Sequence, residues 1–132
     1  MRAFVQAVRE RVETTGYPFH FATVDGTPAG IYVLGVTGSG DPADEVDVTG
    51  LSDAVDDTFT IKTVASSGDA ALGANGRVRA ALAGGLTVPG WLVWFTLTGS
   101  LDVQVDRDAV STSTGTFPVF TTDFYRLHAV PA

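Results

Sequence analysis

The sequence predicts an α+β fold in which short strands are covered by helices. Two segments, residues 2–14 and 69–83, carry apolar side chains at helical spacing. The segments around them are rich in β-branched and aromatic residues, and the fifteen glycines fit many turns between short strands. The strands that flank residues 69–83 are expected to need this helix as a lid. At 132 residues, the chain is expected to form one domain, residues 1–132.

The N-terminal region predicts a helix followed by two strands. The helix spans residues 2–14, and Gly16 is expected to end it in the left-handed conformation. Residues 17–25 predict a strand, and Pro18 indicates either a sheet edge or the beginning of the strand. Residues 31–37 are apolar on both faces, so they predict a strand that is central or covered on both sides. The apolar stripe of the helix consists of Phe4, Val5, Val8 and Val12.

The centre of the chain predicts a strand that leads directly into the second helix. Residues 57–66 alternate, which is typical of a strand with one buried face. Asp69 is the expected N-cap of the helix. Gly73 and Gly76 inside the helix are unfavourable, so they are expected to mark places where another backbone packs closely. The predicted buried residues of the strand are Phe59, Ile61 and Thr63. Those of the helix are Ala71, Leu72, Val78, Ala81 and Leu82.

The C-terminal third predicts three more strands. They span residues 91–98, 101–106 and 117–128, and the last is rich in aromatic side chains. In residues 101–106, apolar and polar side chains alternate, which predicts a half-exposed strand. Its expected buried face consists of Leu101, Val103 and Val105.

Composition and charge exclude several classes of function. The chain has no cysteine, which excludes disulfides, thiolate metal sites and a cysteine nucleophile. Its net charge of −7 opposes adhesion to nucleic acid or to an anionic membrane. The longest apolar run, residues 91–97, is much shorter than a membrane span, and the N-terminus does not have the pattern of a signal peptide. The protein is therefore expected to be soluble and intracellular, with no membrane partner.

The segment between residues 38 and 57 is acidic and contains no Lys or Arg. Its carboxylates could bind a hard cation, but they lack the order of a calcium loop, so a solvated, repulsive loop is expected instead. The glycines at 35, 38 and 40 lead into this loop and not into a helix, which makes a phosphate site improbable. The carboxylates of the segment are Asp41, Asp44, Glu45, Asp47, Asp53, Asp56 and Asp57.

The sequence contains no convincing catalytic or cofactor site. His20 and His128 lie in aromatic strands without a Ser-Asp pattern, and although Asp123 could approach His128, structural histidines are expected. Aromatic side chains in residues 91–97 could stack a ligand or a base. Without basic neighbours, however, they indicate core packing or a subunit interface. We therefore expect no enzyme activity, cofactor or metal. The candidate interface residues are Trp91, Trp94 and Phe95.

Several stretches of the chain point to a family. Residues 55–91 combine a strand ending in small residues, a helix with the run GRVRAAL, and then LTVPG. Together these stretches resemble the tail terminator, or tail completion, proteins of long-tailed actinobacterial phages, over nearly the whole chain. The further stretches that match in order are VQAVRERVETTG at 5–16, DPADEVD at 41–47, VDRD at 105–108 and FPVFTTDFYRL at 117–127.

The resemblance implies a structural virion protein. Its expected fold is α+β, with a mainly antiparallel sheet and two helices packed on one face, and its expected assembly is a hexameric ring. Such a ring would cap the head-proximal end of the tail tube, stop tube polymerisation and contact head-completion proteins, after assembly in the host cytoplasm. DNA would pass through the lumen without specific binding. The candidate lumen-facing carboxylates are Asp41, Asp44, Glu45 and Asp47.

Other interpretations remain open. The protein could be another head-tail joining protein or the tail tube subunit itself. A tube subunit is expected to polymerise into long filaments, whereas a terminator is expected to stop as a ring or to stay monomeric until it meets a tube. A small ligand-binding enzyme would need polar groups that converge in a pocket between helix and sheet, and the sequence offers few candidates.

Overall fold

Five strands and two helices account for most of the described residues. The computed structural model describes residues 1–24, 28, 30–38, 54–107 and 117–132. In chain order, the elements are α1 Arg2–Glu13, β1 Phe19–Phe21, β2 Tyr32–Thr37, β3 Val55–Ala65, α2 Gly68–Ala83, β4 Trp91–Val105 and β5 Val119–Pro131.

The strands form one sheet in the order β1-β2-β3-β5-β4. Only β1 and β2 run parallel; the other three neighbouring pairs are antiparallel. The longest regular pairing joins β3 to β5, from Val55 opposite Ala129 to Ala65 opposite Val119. The C-terminal strand therefore lies inside the sheet, and β4, which precedes it in the chain, forms an edge.

Both helices cover the same face of the sheet, so the predicted α+β fold with helices on one face is confirmed. Side chains of both helices join one core with the inward side chains of the strands. The ring of Phe4 meets Trp91 edge to face at 5.2 Å, and Phe95 stacks on Tyr125 at 4.8 Å. The fully buried residues of this core include Val8, Val12, Val33, Phe59, Ile61, Val78, Leu82 and Leu127.

The helix ends follow local signals, with one correction. As predicted, α1 is followed by Gly16 in the left-handed conformation, with φ of 89°. The prediction that Asp69 caps α2 is wrong, because Ser67 is the N-cap and its hydroxyl accepts a hydrogen bond from the backbone N–H of Ala70. Asp69 lies in the first turn, where its negative charge favours the helix dipole.

The first two strands differ from prediction in length and in exposure. The strand predicted over residues 17–25 is only three residues long, because Pro18 precedes it and Ala22 turns the chain with φ of 64°. The next strand, β2, has neighbours on both sides in the sheet, as a central strand does. Only its inward face is covered, however: Val33 is buried, whereas Val36 is exposed.

The two strands predicted over residues 91–98 and 101–106 are one continuous strand, β4. Its pairing with β5 shifts between Leu97 and Gly99 and again between Leu101 and Gln104. The expectation that Leu101, Val103 and Val105 form a buried face is wrong, since all three are exposed. Helix α2 packs on β3, β5 and β4, yet every residue from 100 to 105 remains exposed.

The buried face of α2 also differs from the predicted stripe. Leu72 is exposed, and Asn75 is buried against the sheet. The expected close packing at Gly73 and Gly76 is not made by any described residue, because a Cβ added at either position would meet no described atom within 4 Å. These glycines weaken the helix without any packing gain from the described residues.

Replacing Gly73 or Gly76 by Ala is therefore expected to raise the free energy of unfolding by about 0.5–1 kcal/mol each. Chemical denaturation of the isolated protein would measure this gain. If the glycines instead allow close contact with another subunit, the same variants would be stable but impaired in assembly. A loss of stability in the isolated protein would contradict the open helix face.

Candidate assembly surfaces

A buried polar cluster joins α2 to the middle of β5. Asp123 is only 1% exposed, and its carboxylate accepts hydrogen bonds from Arg79 and Asn75 of α2. Arg79 donates from Nε to Oδ2 at 2.8 Å and from Nη2 to Oδ1 at 2.6 Å. Asn75 donates from Nδ2 to Oδ2 at 2.8 Å. The hydrogen bond to Asp123 raises the pKa of Arg79.

The cluster follows from the spacing of its members. Asn75 and Arg79 are four residues apart, so they lie on the same face of α2. Asp123 lies opposite Ile61 in the sheet register and points inward with it. The single carboxylate of Asp123 thus accepts hydrogen bonds from two side chains of α2. These bonds fix the position of α2 along β5.

Asp123 and His128 do not form a site. They are five residues apart on one strand, so their side chains point to opposite faces of the sheet. His128 lies opposite Asp56 and beside the ring of Trp94 at 5.6 Å. His20 is beside Tyr32 at 5.7 Å. Both histidines are therefore on the sheet face without helices, among aromatic rings.

The hydroxyl of Tyr125 lies next to the polar cluster but has no hydrogen-bond partner among the described residues. The ring is 3% exposed. Burial is the main cause that raises the pKa of Tyr125 to about 12, and the negative charge of Asp123 adds to it.

This raised pKa predicts a specific alkaline instability. The unfolded chain loses the Tyr125 proton near its ordinary pKa of 10.0, whereas the folded chain holds it up to about 12. The contribution to stability is therefore complete below pH 10 and is lost as the pH rises through this interval. For Tyr125→Phe we expect the free energy of unfolding to fall less than in the wild type between these pH values. At pH 7 we expect unchanged or higher stability, because a buried hydroxyl without a described partner is removed. Denaturation at several pH values would measure both, and identical alkaline profiles would contradict the prediction.

A second ion pair lies on the open sheet face. Arg126 binds Asp56 through Nη2 to Oδ2 at 2.6 Å and Nε to Oδ1 at 3.0 Å. The hydrogen bond from Arg126 is the main cause that lowers the pKa of Asp56. Both side chains are well exposed, at 60% and 32%, so this pair stabilises far less than the buried cluster.

The same face has an open cleft of about 430 Å³ beside the end of β4. Lys62 lies 5.0 Å from the centre of the Phe120 ring. The other lining residues are Tyr32, Leu34, Val64, Val105, Asp106 and Arg107. Burial and the charge of Asp106 raise the pKa of Tyr32. The cleft is open to solvent, and its wall mixes charged and apolar side chains.

The predicted lumen-facing carboxylates Asp41, Asp44, Glu45 and Asp47 lie outside the described residues, as does the rest of the long acidic loop between residues 39 and 53. Of the acidic segment, Asp56 pairs with Arg126, and Asp57 accepts a hydrogen bond from the backbone N–H of Thr58. Within the described ranges, no three His, Asp or Glu side chains are grouped so that they could hold a metal ion.

The three candidate interface residues of β4 do not lie on one surface. Trp91 packs on Phe4, and Phe95 is buried between Phe59 and Tyr125. Trp94 points to the opposite face and is 53% exposed. Residues that alternate along a strand point to opposite faces, so Phe95 is turned into the core while Trp94 faces outward. The subunit interface at Trp91, Trp94 and Phe95 stays a prediction.

The fold and these surfaces define a class: a small α+β protein whose sheet has both described helices on one face and no described helix on the other. No protein-family model matches the chain, and no characterised protein in the curated set matches it. Neither described helix is long and apolar enough to span a membrane.

Solved structures do share the fold. One is a chain from the virion of a native gene transfer agent particle, 22% identical, with a TM-score of 0.55; the match covers 95% of this chain and 93% of the other. A second solved chain is 17% identical, with a TM-score of 0.52 and coverage of 99% and 94%. At these identities, the similarity shows a common fold over almost the whole length.

Proposed function

We propose that this chain is a structural protein of a phage or phage-like particle, and specifically the tail terminator. The observation that carries the proposal is the fold shared over nearly full length with a chain of a gene transfer agent virion. The resemblance of residues 55–91 to tail terminators, noted from the sequence, supports the same conclusion independently of the coordinates.

In this proposal, copies of the chain form a ring, expected to be hexameric, at the head-proximal end of the tail tube. The ring stops tube growth and binds the tail tube protein on one side and the head-completion proteins on the other. The exposed apolar side chains of β4 and the open sheet face support an assembly role, since surfaces of this kind are normally covered by a neighbour. The location is the virion, at the head-tail junction.

The net charge of −7 suits a ring through which DNA must pass. Carboxylates at the lumen would repel phosphates, so DNA would slide without binding. We place Asp41, Asp44, Glu45 and Asp47 there, with the outer rim as the alternative. Replacing Asp44, Glu45 and Asp47 by Lys is then expected to slow DNA ejection, measured by potassium efflux or by ejection kinetics. Unchanged ejection kinetics, with these residues shown to line the lumen, would contradict the proposal that they repel DNA.

The terminator role is tested by adding the purified protein to tail tubes and imaging by negative stain, with native mass measured in parallel. We expect a ring at one end of each tube and no further growth. Long filaments of the protein alone would indicate a tube subunit. A chain that stays monomeric at high concentration and leaves tubes unchanged would refute the terminator role.

A further inference from the structure

The two edges of the sheet differ in how they are protected. The β1 edge is three residues long, with Pro18 on one side and the left-handed Ala22 on the other. The β4 edge is fifteen residues long and contains no Lys, Arg or Pro. Proteins normally protect an edge by shortness, Pro, Lys or a covering element. The first edge has such protection, whereas the second has none from the residues that the structure describes.

The first half of β4 is a regular strand with one side unpaired. From Trp91 to Leu97 it pairs with β5 without interruption, and the register shifts begin only after Leu97. Within the described residues, the only backbone hydrogen bond that β4 makes outside its pairing with β5 joins Trp91 N to Val88 O. The outward backbone groups of this half thus have no backbone partner in the described part of the chain, which is the condition for another strand to pair with them.

The side chains beside this edge are apolar and exposed. Leu92 is 54% exposed and Trp94 is 53% exposed, both on the sheet face without helices. Residues 91–97 carry no charge, and the only charged residue of β4 is Asp102. An uncharged edge with apolar flanks favours a partner strand of the same character.

We propose that this edge pairs with the same edge of a second copy of the chain, antiparallel and about a two-fold axis near Trp94. In this arrangement Trp94 lies opposite Trp94 of the second copy, and Leu92 lies opposite its Thr96. No like charges meet, because residues 91–97 are uncharged. Pairing with the β1 edge of a second copy would offer only three residues. A two-fold contact is closed, so it covers the edge without forming fibres.

This dimer is a state of the free protein and does not depend on the proposed tail function. Its interface is small, below about 1,200 Å² in total, which is typical of weak and reversible contacts. The dissociation constant is therefore expected on the order of micromolar. Each copy carries a charge of −7, so screening the repulsion with salt is expected to strengthen the dimer.

The test is sedimentation velocity of the full chain over a range of concentrations, at low and at high NaCl. The wild type is expected to shift from monomer to dimer as its concentration rises. In high salt this shift is expected to occur at a lower protein concentration. Leu92→Lys and Trp94→Lys are each expected to weaken the dimer at least about tenfold. The matched control is Leu72→Lys, because Leu72 is equally exposed at 55% but lies on α2. Hydrogen exchange is expected to show concentration-dependent protection at residues 92–97.

Other outcomes would overturn the pairing. These are a wild type that stays monomeric throughout, or a Leu72→Lys variant that loses the dimer as the β4 variants do. A six-fold mass that Leu92→Lys abolishes would also overturn the two-fold contact, while it would support the ring of the proposed function. A dimer that depends on Leu92 in a protein that never caps tubes would support the pairing and contradict the tail role.

Discussion

Replacing Asp123 by Asn is expected to lower the free energy of unfolding by about 2–3 kcal/mol. The buried carboxylate accepts three hydrogen bonds, two from Arg79 and one from Asn75, so an Asn leaves these donors with a weaker, uncharged acceptor. Breaking a fully buried ion pair typically costs about 3–5 kcal/mol. Arg79 is 41% exposed and can turn toward water, which places the expected loss below that range.

Asp56→Asn is the matched control for this prediction. Asp56 binds Arg126 with nearly the same two-bond geometry, but at an exposed position. Its replacement is expected to cost less than about 1 kcal/mol. Urea denaturation of both variants at pH 7 would measure the difference. Equal losses would show that burial of the Asp123 pair adds nothing to its strength.

Replacing Gly35 by Ala is expected to cost about 1–3 kcal/mol. Gly35 lies on the inward face of β2, and the ring of Phe19 occupies the space where a side chain would be. A Cβ added there would be 2.5 Å from the ring. Phe19 is buried and has Arg9 above it at 5.6 Å, so the ring has little room to move. The substitution should therefore push β1 away from β2.

Gly99→Ala is the control, because Gly99 also lies in a strand but an added Cβ would meet no atom within 4 Å. It is expected to be neutral, or stabilising by less than about 1 kcal/mol. Thermal unfolding of both variants would measure the contrast. If Gly35→Ala were as stable as Gly99→Ala, then Phe19 would not be held over Gly35 in solution.

Local pattern was sufficient for much of the fold. Helix α1, the left-handed Gly16 and the buried face of β3 with Phe59, Ile61 and Thr63 agree with prediction. These features depend on side-chain period and on backbone preferences within a few residues. The N-cap lies two residues before the predicted one, because Ser and Asp are both good caps and only the path of the chain selects Ser67 over Asp69.

The exposure of side chains on β4 depends on how far α2 extends over the strand. The alternation in residues 101–106 predicts a strand correctly, but α2 does not cover it, so Leu101, Val103 and Val105 are exposed. The predicted interface residues of β4 belong to one aromatic-rich run in the sequence. A strand separates such a run between two faces, and Phe95 is therefore buried while Trp94 is exposed.

The sequence by itself determined the α+β class, the helices, most strands and the acidic, cysteine-free character of the chain. Only the tertiary structure decided the polar cluster of Asn75, Arg79 and Asp123, the place of Gly35 beneath Phe19, and which edge of the sheet is open. The physical reason is distance along the chain. Periodicity and capping act over a few residues, whereas Asp123 meets its partners across 44 and 48 residues, and no local pattern records which strand will lie beside which helix.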